Sequence, residues 1–243
     1  MTRRALGLDG CRQGWVGVRL ADGVVDDVAV LPDIERALTW AEGASVGVDI
    51  PIGLLVDEAR DADAAARARL PGRASSVFSA PPRPVLEAHL ADAGLTYADA
   101  NAVARASRGR GMSQQTWRLV PRIAEADRAV AAGAELLEVH PEVAFAEVAG
   151  GLPLPRKTSW AGVAERRAWL SRLGLHLPDR FDGAERCAPD DVLDAAVVAW
   201  VADGAAAGET LETLPPEPRQ HDRGRPVVIH VRRRARHDAA AGV

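Results

Sequence analysis

Four aspartates stand where an acid calls for an explanation. Asp9 ends the apolar run Ala5-Leu6-Gly7-Leu8 and precedes Gly10, while Asp49 ends Val46-Gly47-Val48 and precedes Ile50-Pro51-Ile52-Gly53. Aspartate is depleted in strands because its short side chain competes for backbone hydrogen bonds. An acid closing an apolar strand is therefore either turn chemistry, for which Asp-Gly is a common dipeptide, or a ligand. Asp191 and Asp194 lie three residues apart in Pro189-Asp190-Asp191-Val192-Leu193-Asp194, which opens the most clearly helical segment of the chain. Asp190 and Asp191 have a simple account, since acids in a first turn complement the helix dipole and Asp190 suits an N-cap. Asp194 lies one turn further in, where that effect has decayed, on the face shared with Asp190 and Asp191. Carboxylates aimed at one point repel unless a cation lies between them. Oxygen-only ligands select hard ions such as Mg²⁺ or Mn²⁺.

The elements that must position these acids follow from the hydrophobic pattern. Residues 5–9, 15–20 and 24–31 read as three strands with tight links, hence an antiparallel meander. Asp33 caps a helix running to about Glu42, and 46–50 reads as a fourth strand. From residue 54 to about 135 the texture is alanine and arginine at helical spacing, with helices expected over 59–70, 84–93, 99–106 and 121–132. A fifth strand, 136–140, is followed by helices over 143–148, 163–173 and 189–201 and a last strand over 227–231. Strands one, four and five are joined by helical connections, which suits parallel pairing. Their carboxyl ends then share one edge, where sites are built, and Asp9, Asp49 and His140 or Glu142 fall there.

Several further groups could serve such a site. Glu138, His140 and Glu142 share a strand face, interrupted by Pro141, and one of them could orient a ligand or a water; the alternative is a partly buried, satisfied His140. Two polar loops, 72–78 and 109–117, carry Arg73, Ser75, Ser76, Ser113, Gln114 and Trp117. Together with Arg83 and Lys157 these could contact phosphates or sugar hydroxyls, unless the loops are solvated linkers. Trp117 could stack on a base or anchor its loop.

The 243 residues, 47% of them apolar, suffice for one sizeable core, expected as a single domain over 1–231 with a helical insertion at about 54–135. Residues 232–243 read as a basic, disordered tail. The net charge of −4 neither requires nor excludes a polyanionic partner. Two cysteines, Cys11 and Cys187, lack metal-ligand spacing and form no disulfide framework, so a cytoplasmic location is expected. No apolar run approaches the length of a membrane span, and none resembles a signal peptide.

Leu8-Asp9-Gly10, Val48-Asp49-Ile50-Pro51-Ile52-Gly53, Glu138-Val139-His140-Pro141-Glu142 and Asp190-Asp191-Val192-Leu193-Asp194-Ala195 resemble, in this order, the motifs of the predicted RNase H-like nuclease family. Ser75-Ser76-Val77-Phe78 and Ser113-Gln114-Gln115-Thr116-Trp117 are similar to that family too, so the resemblance spans most of residues 4–231. It implies an α/β fold of RNase H-like type, a five-stranded mixed sheet flanked by helices. It also implies Asp9, Asp49, Asp191 and Asp194 as metal ligands and catalytic residues. The reaction implied is hydrolysis of a nucleic-acid phosphodiester with two Mg²⁺ or Mn²⁺ ions, Asp9 bridging both, Asp49 on one side and Asp191 and Asp194 on the other. The rival expectations are an actin-like phosphotransferase or ATPase, which would need a second such domain, and a silent fold kept for binding.

Overall fold

The computed structural model describes residues 2–234. The chain opens with the expected meander, β1 (Arg4–Cys11), β2 (Gly14–Ala21) and β3 (Val24–Leu31), then α1 (Ile34–Ala41) and β4 (Ser45–Val48). Four helices follow: α2 (Asp61–Arg69), α3 (Arg83–Ala91), α4 (Tyr97–Arg108) and α5 (Gln114–Ala131). The rest comprises β5 (Leu136–Glu138), α6 (Pro141–Val148), α7 (Trp160–Arg172), α8 (Pro189–Ala206), β6 (Glu212–Leu214), β7 (His221–Asp222), β8 (Arg225–Pro226) and β9 (Ile229–Val231). The main sheet has the order β3-β2-β1-β4-β5, with β1, β4 and β5 parallel and β2 and β3 antiparallel. The α/β fold with a five-stranded mixed sheet is thus present, as the RNase H-like resemblance implies.

Strand parity decides which helices cover which face. On β1, Leu6 and Leu8 point into a core shared with α1, α3, α4 and α5, whereas α2 packs against β6 and β9. Gly7 and Asp9 point to the opposite face, towards α8, and Gly47 on β4 and Asp49 just beyond it have the same parity. Helix α8 is buried around nearly its whole circumference, between the sheet and α6 and α7. It lies so close to β1 that a Cβ on Gly7 would sit 2.1 Å from the Ala195 carbonyl oxygen and 2.2 Å from the Ala199 nitrogen. On β4, a Cβ on Gly47 would meet Val198 Cγ1 at 2.8 Å. Both strands therefore present a glycine where the helix crosses and, two residues on, an acid at the helix's N-terminal end.

Two expectations need correction. Helix α5 starts at Gln114 rather than at Pro121, because the Ser113 hydroxyl accepts the Thr116 N–H and caps an earlier start. Pro121 lies inside the helix, where it removes only one backbone donor. The expected last strand is present as β9, paired with β6 in a separate two-stranded sheet. The beginning of the expected tail is engaged: Arg232 bridges Asp203 and Glu209 over the Trp200 ring, Arg233 pairs with Glu147 and Glu212, and Arg234 donates to the Val148 carbonyl. The remainder of that tail lies outside the described residues. Among the described residues no helix is long and apolar enough to cross a membrane.

Candidate metal centre

Asp9 sits inside β1, two residues before its end, and Asp49 is the first residue beyond β4. The parallel register sets Leu8 against Val48, and the Asp49 N–H donates to the Leu8 carbonyl at 2.9 Å, so the two acids emerge side by side. Asp194, in the second turn of α8, arrives from above. Ligand oxygens of Asp9, Asp49 and Asp194 all lie within 4.8 Å of one another. Asp9 and Asp194 are buried and Asp49 keeps partial solvent contact.

The protein supplies one cation to this cluster. Lys157, the chain's single lysine, places Nζ 2.5 Å from Asp194 Oδ2 and 3.7 Å from Asp190 Oδ2. One ammonium does not neutralise three carboxylates, and the electrostatics show the deficit. Burial, then the charges of Asp49 and Asp194, hold the Asp9 carboxyl well above the usual range. Burial and Asp194 push Asp49 up to about 8, against the opposing pull of Lys157. Burial raises Asp194 to about 6, again opposed by Lys157. Burial works against the Lys157 charge, yet Asp194, Asp49 and Asp9 together hold its pKa far above that of an ordinary lysine.

Asp194 supplies the decisive detail. Its second oxygen, Oδ1, is buried and accepts no hydrogen bond, and such an orphaned carboxylate oxygen is costly unless something positive meets it. The residues present therefore fit a divalent cation: the three donors are hard oxygens from three separate elements, and one has a lone pair aimed at nothing else.

The chain matches the family described as "Protein of unknown function (DUF429)" over residues 7–220. It belongs to this family. The matched span takes in Asp9, Asp49, Asp194 and Lys157 together with β2 to β5 and most of β1. No curated protein and no solved structure matches the chain.

In this member of the DUF429 family the remaining site candidates fall into distinct roles. Asp191 does not join the three-acid cluster; its carboxylate accepts the Ala188 N–H at 3.2 Å at the start of α8, within electrostatic range of Asp9. Glu138 is committed to structure: it accepts the Ile52 N–H at 2.6 Å and pairs with the buried Arg60, fixing the segment that follows Asp49. Burial nevertheless pushes Glu138 up to about 7. Glu142 pairs with Arg166, which is fully buried, at 2.8 Å and with Arg73 at 3.1 Å. His140 caps α6 with its ring near the Ser76 backbone; burial, joined by Lys157, pushes it down to about 4, so it is neutral at pH 7. Its Nδ1 is buried without a partner, so the expectation of a satisfied histidine does not hold.

Among the candidate substrate contacts, Arg83 is buried between Asp127 and Asp222, and Arg73 is tied to Glu142 and the Leu154 carbonyl, so neither guanidinium is available for a phosphate in this arrangement. Trp117 is an anchor, partly buried and edge-on to His89 at 5.9 Å. Ser76 bonds the Arg73 carbonyl, Ser113 caps α5, and Ser75 and Gln114 are exposed. Lys157 faces the acids themselves rather than a phosphate. Arg60 and Arg166, which hold the frame of the site, were missed by the sequence reading because nothing in their local pattern distinguishes them from the many surface arginines.

Proposed function

We propose that this protein is a metal-dependent phosphodiester hydrolase acting on nucleic acid, with Asp9, Asp49 and Asp194 as the ligands of the metal. The observation that carries this reading is the convergence of three carboxylates from β1, β4 and α8 with Asp194 Oδ1 left unfilled. A divalent ion held there would stabilise developing charge on phosphoryl oxygens and make a water more acidic. The chain's own groups do the rest. Asp9, fixed within a paired strand, holds its carboxylate rigidly. The Arg60–Glu138 pair keeps the backbone after Asp49 from relaxing away.

Charge favours one tightly held ion over the two that the resemblance implies. With three ionised carboxylates and one ammonium, a single divalent ion leaves the cluster neutral, and Lys157 takes the second cation's place. Replacing Lys157 with methionine is therefore expected to tighten Mn²⁺ binding at least tenfold in titration calorimetry and to lower the thermal stability of the metal-free protein. Unchanged affinity would remove Lys157 from this role.

The direct test is a cleavage panel of single-stranded, duplex, hybrid and branched DNA and RNA with Mg²⁺ or Mn²⁺. Cleavage is expected to need the ion, to stop with EDTA and to be lost in Asp9→Asn. Cleavage that survives Asp9→Asn would place the chemistry elsewhere, and a panel with no product would refute the hydrolase reading.

A further inference from the structure

The segment 77–80, the end of α4 and the start of α5 line a cavity of about 320 Å³. Its walls carry three guanidiniums, Arg67, Arg108 and Arg110, and no acidic residue. In a chain where most buried arginines are neutralised by carboxylates, none of these three has a carboxylate partner among the described residues. Arg67 uses its donors on the Val77 carbonyl at 3.2 Å and the Ser79 hydroxyl at 2.7 Å. Arg108 donates through Nη1 to the Ala80 carbonyl at 2.9 Å, but its Nε and Nη2 are buried without an acceptor. Burial, then the neighbouring charge of Arg110, presses against its protonated form, and the charges of Asp63 and Asp57 offset this only in part. A half-buried cation with unfilled donors is costly unless a counter-charge arrives, and an oxyanion entering the cavity would supply both the charge and the acceptors. Exposed Phe78 stands at the same cavity.

The cavity is linked to the candidate centre by an indirect series of contacts. Ser75 lines it, the adjacent Ser76 meets the His140 ring through its backbone, and His140 is within electrostatic range of Lys157, which holds Asp194. We infer that Arg67, Arg108 and Arg110 form a phosphate-binding pocket for a single-stranded nucleic acid, with Phe78 as a stacking platform for a neighbouring base. Guanidiniums tracking the backbone beside an aromatic face are the combination that suits single strands. This rests on the hydrolase reading only for the identity of the strand as substrate; the pocket itself is argued from its own residues.

The test is binding of a fluorescently labelled, mixed-sequence single-stranded DNA 12-mer to the full chain by anisotropy, across a salt series and with inorganic phosphate as competitor. Arg110 and Phe78 are exposed, so Arg110→Glu and Phe78→Ala are expected to fold. Arg110→Glu should weaken binding at least tenfold and reduce the salt slope by about 0.7 or more, the share of one phosphate contact on a single strand. Phe78→Ala should cost a further few-fold, and a duplex of the same sequence should bind more weakly than the single strand. Inorganic phosphate that competes with wild type but not with Arg110→Glu would identify the phosphate group as the recognised unit; phosphate competing equally with both would overturn the assignment. So would wild-type affinity in Arg110→Glu, or no binding at all. Binding that is sensitive to Arg110 with no cleavage by any metal would refute the hydrolase alone, and cleavage with binding indifferent to Arg110 would refute the pocket alone.

Discussion

Gly7→Ala is expected to destabilise the protein by at least about 3 kcal/mol and in practice to leave it largely unfolded, although the change adds one methyl group. Overpacking a core costs about 1–3 kcal/mol when side chains can shift to make room. Here the new Cβ would lie 2.1 Å from a carbonyl oxygen and 2.2 Å from a backbone nitrogen of α8, atoms that cannot rotate aside. The helix would have to lift from the sheet, and it is buried without a break from Leu193 to Gly204. Against a net stability on the order of 5–15 kcal/mol, that is a large fraction. Lifting α8 would also withdraw Asp194 from Asp9 and Asp49, so any folded remainder should have lost its divalent-ion affinity. Gly10→Ala is the control: it adds the same methyl three residues away, where the nearest atom is Arg122 Cγ at 3.7 Å, and should change stability by less than about 1 kcal/mol. Urea unfolding followed by circular dichroism compares the two, and equal midpoints would show that α8 does not close on β1 as described.

The same glycines explain how much of the site was legible in the sequence. The meander, the parallel strands and the long helix near the C-terminus are written in period-two and period-3.6 patterns, and an acid at the end of two apolar runs marked Asp9 and Asp49. A further regularity lies in the same residues: Gly7-Leu8-Asp9 and Gly47-Val48-Asp49 are one pattern repeated, a glycine that admits the helix and an acid two residues on that shares its face. Asp194 could be singled out because it interrupts an apolar helix beyond the reach of the dipole, whereas Asp191 carried the same family resemblance yet is used at the helix start. Spacing alone could not separate them, since both lie on one face. The division among the arginines was also invisible. No residue next to Arg83 in the sequence announces its ion pairs, which depend on the tertiary placement of Asp127 and Asp222.

The metal-free protein is expected to lose stability as pH rises from 6.5 to 8, and divalent ions are expected to cancel that loss. Asp49 at about 8, Asp9 well above its usual range and Glu138 at about 7 all have folded-state values raised above those of the unfolded chain. A carboxyl shifted in that sense contributes stability that is fully present below its unfolded value, near 4, and is lost as pH climbs through the folded value. His140, lowered to about 4, and His230, also lowered, act in the opposite sense, but only below about 6.5, where an unfolded histidine takes up a proton. Between 6.5 and 8 the carboxyls therefore dominate. A carboxyl still protonated across that window contributes a loss of up to about 2 kcal/mol at about 1.4 kcal/mol per pH unit, or several degrees in Tm for a domain of this size. Because a cation replaces the protons, saturating Mn²⁺ should raise Tm more at pH 8 than at pH 6.5 and flatten the profile. Asp49→Asn removes one of the repelling charges, so its metal-free form should be more stable than wild type at pH 8, with a shallower slope and little response to Mn²⁺. Thermal scans in EDTA and in Mn²⁺ at the two pH values measure all of these; a wild-type Tm indifferent to the ion, or an Asp49→Asn profile superimposable on wild type, would mean that the three carboxylates do not act as one charged cluster.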